Sequence, residues 1–200
     1  MTDLGPIQIF DILKAGVDAS YDEMAEEVPP RILVASRSGA SKLLNSKSRG
    51  KHVKYVVSIG GKDDRPPFGL KSSPRSVLRL IFDDFPLASS HDWAPGQEDV
   101  EALIKFGEKA LKSDDIILCH CHMGISRSTA AAFILNVMEL GPDHLETARN
   151  RVYRIRPQVW PNYAMIQMAE GILGYDGELL EVMEPVFRQD PRIAHIFRNK

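Results

Sequence analysis

Ile116-Ile117-Leu118-Cys119-His120-Cys121-His122-Met123-Gly124-Ile125-Ser126-Arg127-Ser128-Thr129-Ala130 is the stretch on which the fold turns. Ile116 to Cys119 form a short continuous apolar run, as expected of a buried strand. A turn follows, from His122 to Ser126. Arg127 to Leu140 is then apolar and alanine-rich, which predicts a buried helix stopped by Gly141-Pro142. A strand, a tight turn and a helix in this order gather backbone N–H groups into a concave nest that suits an anion. The helix start adds unpaired N–H groups and the positive end of its dipole. Gly124 permits the backbone angles that such a turn requires.

The side chains in the turn match a phosphate ester. Cys121 opens the cradle, and a thiol beside a helix N-terminus and a cation ionises more readily than a free one. The thiolate is a nucleophile. Arg127 closes the cradle, where its guanidinium fork can take two phosphate oxygens and stabilise transition-state charge. Lysine matches that geometry poorly. Ser128 is placed to hydrogen-bond the sulfur as it leaves in a second step. His120 is expected to orient the loop by bonding backbone carbonyls. His122, Met123, Gly124, Ile125 and Ser126 are the candidate substrate-contacting positions.

Outward from this centre, Ile32-Leu33-Val34-Ala35, Val53 to Ile59 and Val77 to Phe82 read as strands. Ser38 to Leu44 and Gln97 to Lys112 read as helices, as do Pro142 to Ile155, Asn162 to Leu173 and Leu179 to Phe187. Ile7 to Val28 has mixed helical character and ends at Pro29-Pro30. Alternating strands and helices predict one α/β domain with a mainly parallel central sheet and helices on both faces. We expect residues 1–30 to be an N-terminal extension, 31–174 the catalytic domain and 175–200 a C-terminal helical tail.

His-Cys, five residues, then Arg-Ser resembles the signature of the protein tyrosine phosphatase superfamily. The order of parts resembles its compact dual-specificity branch, in which an acid-bearing loop precedes the cysteine loop. The low-molecular-weight branch carries its cysteine near the N-terminus and does not fit. The resemblance spans roughly Arg31 to Leu173. It includes Arg156-Pro157 and Pro161-Asn162 to Gln167, similar to the region after the catalytic helix in that branch. It implies a phosphatase-like fold, a phosphocysteine intermediate, and a general acid at the second aspartate of a hydrophobic-Asp-Asp stretch. Asp84 fits that description, with Asp83 and Asp92 as alternatives. The plain role for each aspartate is a turn or cap residue.

The whole chain sets limits on this. Its 200 residues suit one core, since single cores grow until roughly 250–300 residues. Apolar residues make up 44% and charged residues 26%, ordinary for a soluble protein. A net charge of −2 gives no global pull toward nucleic acid. Lys42, Lys47, Arg49, Lys51 and Lys54 form a local basic run, read as a solvated loop or as a surface for a phosphorylated or acidic partner. The first residues, Met1-Thr2-Asp3-Leu4, lack the features of a signal peptide. No apolar run is long enough to span a bilayer, so a cytoplasmic protein is expected.

The two cysteines, Cys119 and Cys121, stand too close together to staple a scaffold, which points to a reducing compartment. Cys119 reads as core, or as a redox partner for Cys121. Cys119-His120-Cys121-His122 lacks the spacing and second ligand pair of a zinc site. No metal or cofactor is called for. Trp93 and Trp160 are candidates to flank a substrate, and Arg154 and Arg156 to touch it.

The expected substrate is a phosphorylated protein, with phosphotyrosine ahead of phosphoserine, or a small phosphate ester. Positions 122–126 hold no lysine or arginine, which lowers a lipid-phosphate reading. A non-catalytic phosphate-binding module and a rhodanese-like sulfurtransferase are the other function classes. Nothing in the sequence fixes the oligomeric state.

Overall fold

The computed structural model describes residues 31–87, 91–155 and 159–198. Residues 1–30, with the mixed helical character expected of Ile7 to Val28, lie outside the described residues, as do Arg156 and Pro157.

Four strands form one sheet: β1 (Ile32–Ser36), β2 (Val53–Gly60), β3 (Ser76–Ile81) and β4 (Ile116–Cys121). Their order is β1-β4-β2-β3 and every pairing is parallel. β4 therefore lies between neighbours on both sides, as its unbroken apolar run predicts. It continues two residues beyond the expected end at Cys119, so Cys121 is the last residue of the strand. Register places Ser36 beside Cys121, and both Ala35 and Ser58 beside His120.

Side chains alternate across the sheet with period two. Leu33, Ala35, Val56 and Leu118 face α1 (Arg37–Asn45) and pack with its Ala40, Leu43 and Leu44. The helix starts cleanly because Ser36 Oγ accepts the Gly39 N–H at 3.1 Å. Ile32, Val34, Val57, Ile117, Cys119 and Cys121 belong to the larger cluster on the opposite face. That cluster includes α2 (Gln97–Ala110), α3 (Arg127–Leu140), α4 (Leu145–Ile155), α5 (Tyr163–Leu173) and α6 (Glu178–Phe187). Among the described residues the two faces are thus unequal: one helix covers one of them and five the other.

α3 has the boundaries that its sequence predicts, and it is buried without interruption from Arg127 to Val137. A helix that is apolar all round belongs inside a core. Gly141 ends it with φ +80°, a conformation few side chains adopt. The expected helix from Pro142 divides into a short 3₁₀ turn at Pro142–His144 and then α4. The segment set apart as a tail packs closely. α6 buries Leu179, Met183, Val186 and Phe187 in the cluster that holds α3. Beyond it, Phe197 stacks on Phe187 and meets Tyr163 edge-on. No helix among the described residues is long and apolar enough to cross a membrane.

Candidate active site

The turn between β4 and α3 leans on the end of β1. Gly124 has φ +73°, and a Cβ there would lie 2.7 Å from the backbone of Ala35 and Ser36. Conformation and space both demand glycine. The Arg37 N–H donates to the His122 carbonyl at 3.1 Å and pins the outer side of the turn to α1. The Trp160 N–H donates to the Ile125 carbonyl at 3.0 Å and fixes the other side to the segment before α5.

Cys121 Sγ sits on the floor of a cavity of about 320 Å³ lined by Asp64, Asp84, Arg127, Trp160 and Arg192 among others. The Gly124 N–H donates to the sulfur at 3.2 Å, and Ser128 Oγ lies 3.1 Å away. Arg127 is buried at the first turn of α3. Its Nη1 donates to the Phe82 carbonyl at 2.7 Å, while its buried Nε has no partner among the described residues. Arg75 Nε and His120 Nδ1 are likewise buried without a partner among the described residues, an unusual state for such groups.

Of the three candidate acids, Asp84 alone lines the cavity; Asp83 and Asp92 are exposed. Asp84 Oδ1 accepts the Ser126 hydroxyl at 2.6 Å and the Asn162 amide at 3.0 Å. Asn162 is fully buried and also bonds the Phe85 carbonyl. The acid loop is thereby tied to the cysteine turn and to the start of α5. Ser126 lines the cavity, and its hydroxyl bonds Asp84.

The remaining candidates fall as follows. His122 and Met123 are exposed at the lip, and Ile125 lines the cavity. Trp160 lines it while Trp93 stands outside, under the Lys62 ammonium. Arg154 does not line it. His120 faces away from Cys121, on the α1 side of the sheet. Its Nε2 meets Ser58 Oγ at 2.8 Å. Burial lowers the ring to about 4, with Arg79 and Arg37 adding to the effect against the bond at the Cys121 backbone. Cys119 is fully buried, and burial pushes its thiol up, with Cys121 adding to the shift.

The sequence reading missed two charged residues that enter the cavity. Asp64 accepts the Gly61 N–H at 3.0 Å and stands 3.6 Å from both Arg37 and His122. Burial alone would raise its carboxyl, but the Gly61 N–H, His122, Arg127 and Arg37 together hold it below the usual range. Arg192 comes from beyond α6. Neither lies in a periodic segment, so no sequence pattern marks them. No cluster able to hold a metal ion exists among the described residues.

No family model and no curated protein matches the sequence. Solved structures do match the fold. The human tyrosine phosphatase-like serine/threonine/tyrosine-interacting protein is 19% identical with a TM-score of 0.55, covering 72% of this chain and 92% of that one. Human DUSP28 is 21% identical at TM-score 0.53, covering 74% and 95%. A mouse dual specificity phosphatase complexed with zinc tungstate is 18% identical at 0.51, covering 86% and 100%. The chain has the fold of the compact dual-specificity phosphatases, as its cysteine turn implied.

Proposed function

We propose that this protein is a metal-independent phosphatase that hydrolyses phosphate monoesters through a phosphocysteine. The observation that carries the proposal is that Cys121 and the buried Arg127 line one cavity, with Arg127 Nε unpartnered among the described residues. One group offers an electron pair to phosphorus and the other a donor to its oxygens.

In the first step Cys121 Sγ attacks phosphorus as the ester P–O bond breaks, and Asp84 gives its proton to the departing oxygen. Arg127 and the N–H groups of the turn hold the equatorial oxygens, where preorganised donors act without reorganisation. In the second step water attacks phosphorus. Asp84 takes the water proton, the S–P bond breaks, and the thiolate returns to the Gly124 N–H and the Ser128 hydroxyl. A sulfurtransferase would have no use for a carboxyl secured this firmly in the cavity.

The preferred substrate is a phosphoprotein, with phosphotyrosine ahead of phosphoserine. Two exposed apolar side chains, Met123 and Trp160, flank the opening and suit an aromatic ester. No lysine or arginine stands among residues 122–126 to hold further phosphates. A free thiol nucleophile suits the reducing cytoplasm.

The test is hydrolysis of para-nitrophenyl phosphate with a chelator present, by the wild type and by Cys121→Ser. Release by the wild type that the variant abolishes, while the variant still binds substrate, supports the scheme. A folded wild type that binds phosphotyrosine peptide but releases no phosphate would instead make this a binding module.

A further inference from the structure

Arg192 belongs to no helix. It follows α6 on a turn in which the Ile193 and Ala194 N–H groups both donate to the Asp190 carbonyl. Asp190 is fully buried. A buried carboxylate persists only when paired and hydrogen-bonded, and its partner is Arg192. The Arg192 backbone N–H and Nε meet Oδ1 at 3.0 and 2.9 Å, and Nη2 meets Oδ2 at 2.7 Å. Ile193 and Phe197 anchor the segment in the core, and Arg188 Nη1 ties down the Phe197 carbonyl at 2.6 Å.

The far end of the same guanidinium reaches the cavity. Nη1 lies 3.3 Å from Asp84 Oδ2 and 3.4 Å from Ser126 Oγ. Nη2 donates to the Trp160 carbonyl at 2.9 Å and lies 3.3 Å from Ser126 Oγ. All three nitrogens therefore have protein partners. A residue that receives a second phosphate would keep part of its fork open, and Arg192 does not.

We propose that Arg192, aligned by Asp190, is a positioning residue that holds the Asp84 carboxyl against the cysteine turn for proton transfer. The segment after α6 is then part of the catalytic unit. This rests on the phosphatase reading and extends it to a region that the resemblance does not cover. Asp84 has Ser126 and Asn162 on Oδ1, and Arg192 supplies the contact to Oδ2. Two-sided support fixes the rotation of the carboxyl as well as its location. Misplacing a reacting group by about 1 Å can cost roughly a hundredfold in rate.

The test uses the full chain and aryl phosphates of graded leaving ability. Arg192→Ala should lower kcat/KM about tenfold or more for phenyl phosphate, where protonation matters most, and less than about threefold for para-nitrophenyl phosphate. It should add little to the loss in Asp84→Asn, since the two act as a unit. Inhibition by inorganic phosphate should stay within about twofold of wild type, because Arg127 binds the oxygens. Arg192→Lys should recover part of the loss, and it serves for the same comparison if Arg192→Ala does not fold. An equal loss on every ester, full additivity with Asp84→Asn, or weakened phosphate inhibition would overturn the proposal. An active wild type matched by Arg192→Ala on every ester overturns it alone. A folded wild type that hydrolyses no ester overturns the phosphatase reading, and this one with it.

Discussion

Two arginines reach the same cavity and are used in opposite ways. Arg127 enters from the first turn of α3 and is buried, with Nη1 on the Phe82 carbonyl and Nε unpartnered. Arg192 enters from the chain beyond α6 with Nε, Nη1 and Nη2 all engaged by Asp190, Asp84, Ser126 and Trp160. Each is a planar fork of five donors. A fork left open at one end binds a ligand, whereas a closed one works as a brace. Residue type and proximity to a site do not separate these roles; the count of unpaired donors does.

The contrast is most exposed at Arg127. Arg127→Lys keeps a cation but loses the fork. We expect kcat/KM on para-nitrophenyl phosphate to fall about a thousandfold, with inorganic phosphate inhibition weakened in parallel. A loss under about tenfold would mean that Arg127 does not bind through its fork, and the contrast with Arg192 would collapse.

A third arginine gives a smaller effect, read in stability. Arg79 donates to Ser58 Oγ at 3.0 Å and to the Asp64 carbonyl at 2.7 Å, beside the buried His120 ring. His120 is lowered to about 4 by burial, against roughly 6.5 in an unfolded chain. Between those values the unfolded chain binds a proton that the native ring refuses. The stabilisation is complete above about pH 6.5 and is lost as pH falls toward 4, by up to about 3 kcal/mol. Urea midpoints at pH 7.5 and 4.5 should show the drop in wild type and a shallower one in His120→Gln. Equal drops in the two proteins would remove His120 as the cause.

The smallest effect belongs to Ser126, which bonds both Asp84 and Arg192. Ser126→Ala removes one bond to Asp84 and two longer ones from Arg192. Hydrogen bonds to charged groups contribute roughly 1.5–3 kcal/mol, so turnover of phenyl phosphate should fall about tenfold. Phosphate inhibition should hold. If inhibition weakens as well, the Ser126 hydroxyl touches the ligand, and the acid side of the cavity is not separate from the phosphate side.

The same contrast explains what the sequence disclosed. Cys121, Gly124 and Arg127 lie within one turn of chain, so their spacing carries the geometry. Strand and helix periods place that turn between β4 and α3, and the boundaries of α3 follow from its apolar run and Gly141. For the acid the sequence favours Asp84 with Asp83 and Asp92 as alternatives, because which carboxyl faces inward depends on Ser126 and Asn162 closing around it. Asp64 and Arg192 left no local mark. They arrive through a loop and through a turn after α6, and tertiary packing alone brings them to the cavity. The Ser58 partner of His120 left no local mark either, because it comes from β2. Strand alternation sends His120 and Cys121 to opposite faces, and β4 continues far enough for that rule to apply.

The burial of α3 has a further consequence. Protein surrounds the helix from Arg127 to Val137, so ions of the medium cannot gather along that flank to screen its dipole. At physiological ionic strength, screening acts over about 8 Å of electrolyte, a distance available to a phosphate still approaching and not to one already seated. Salt should therefore slow arrival more than it loosens the hold.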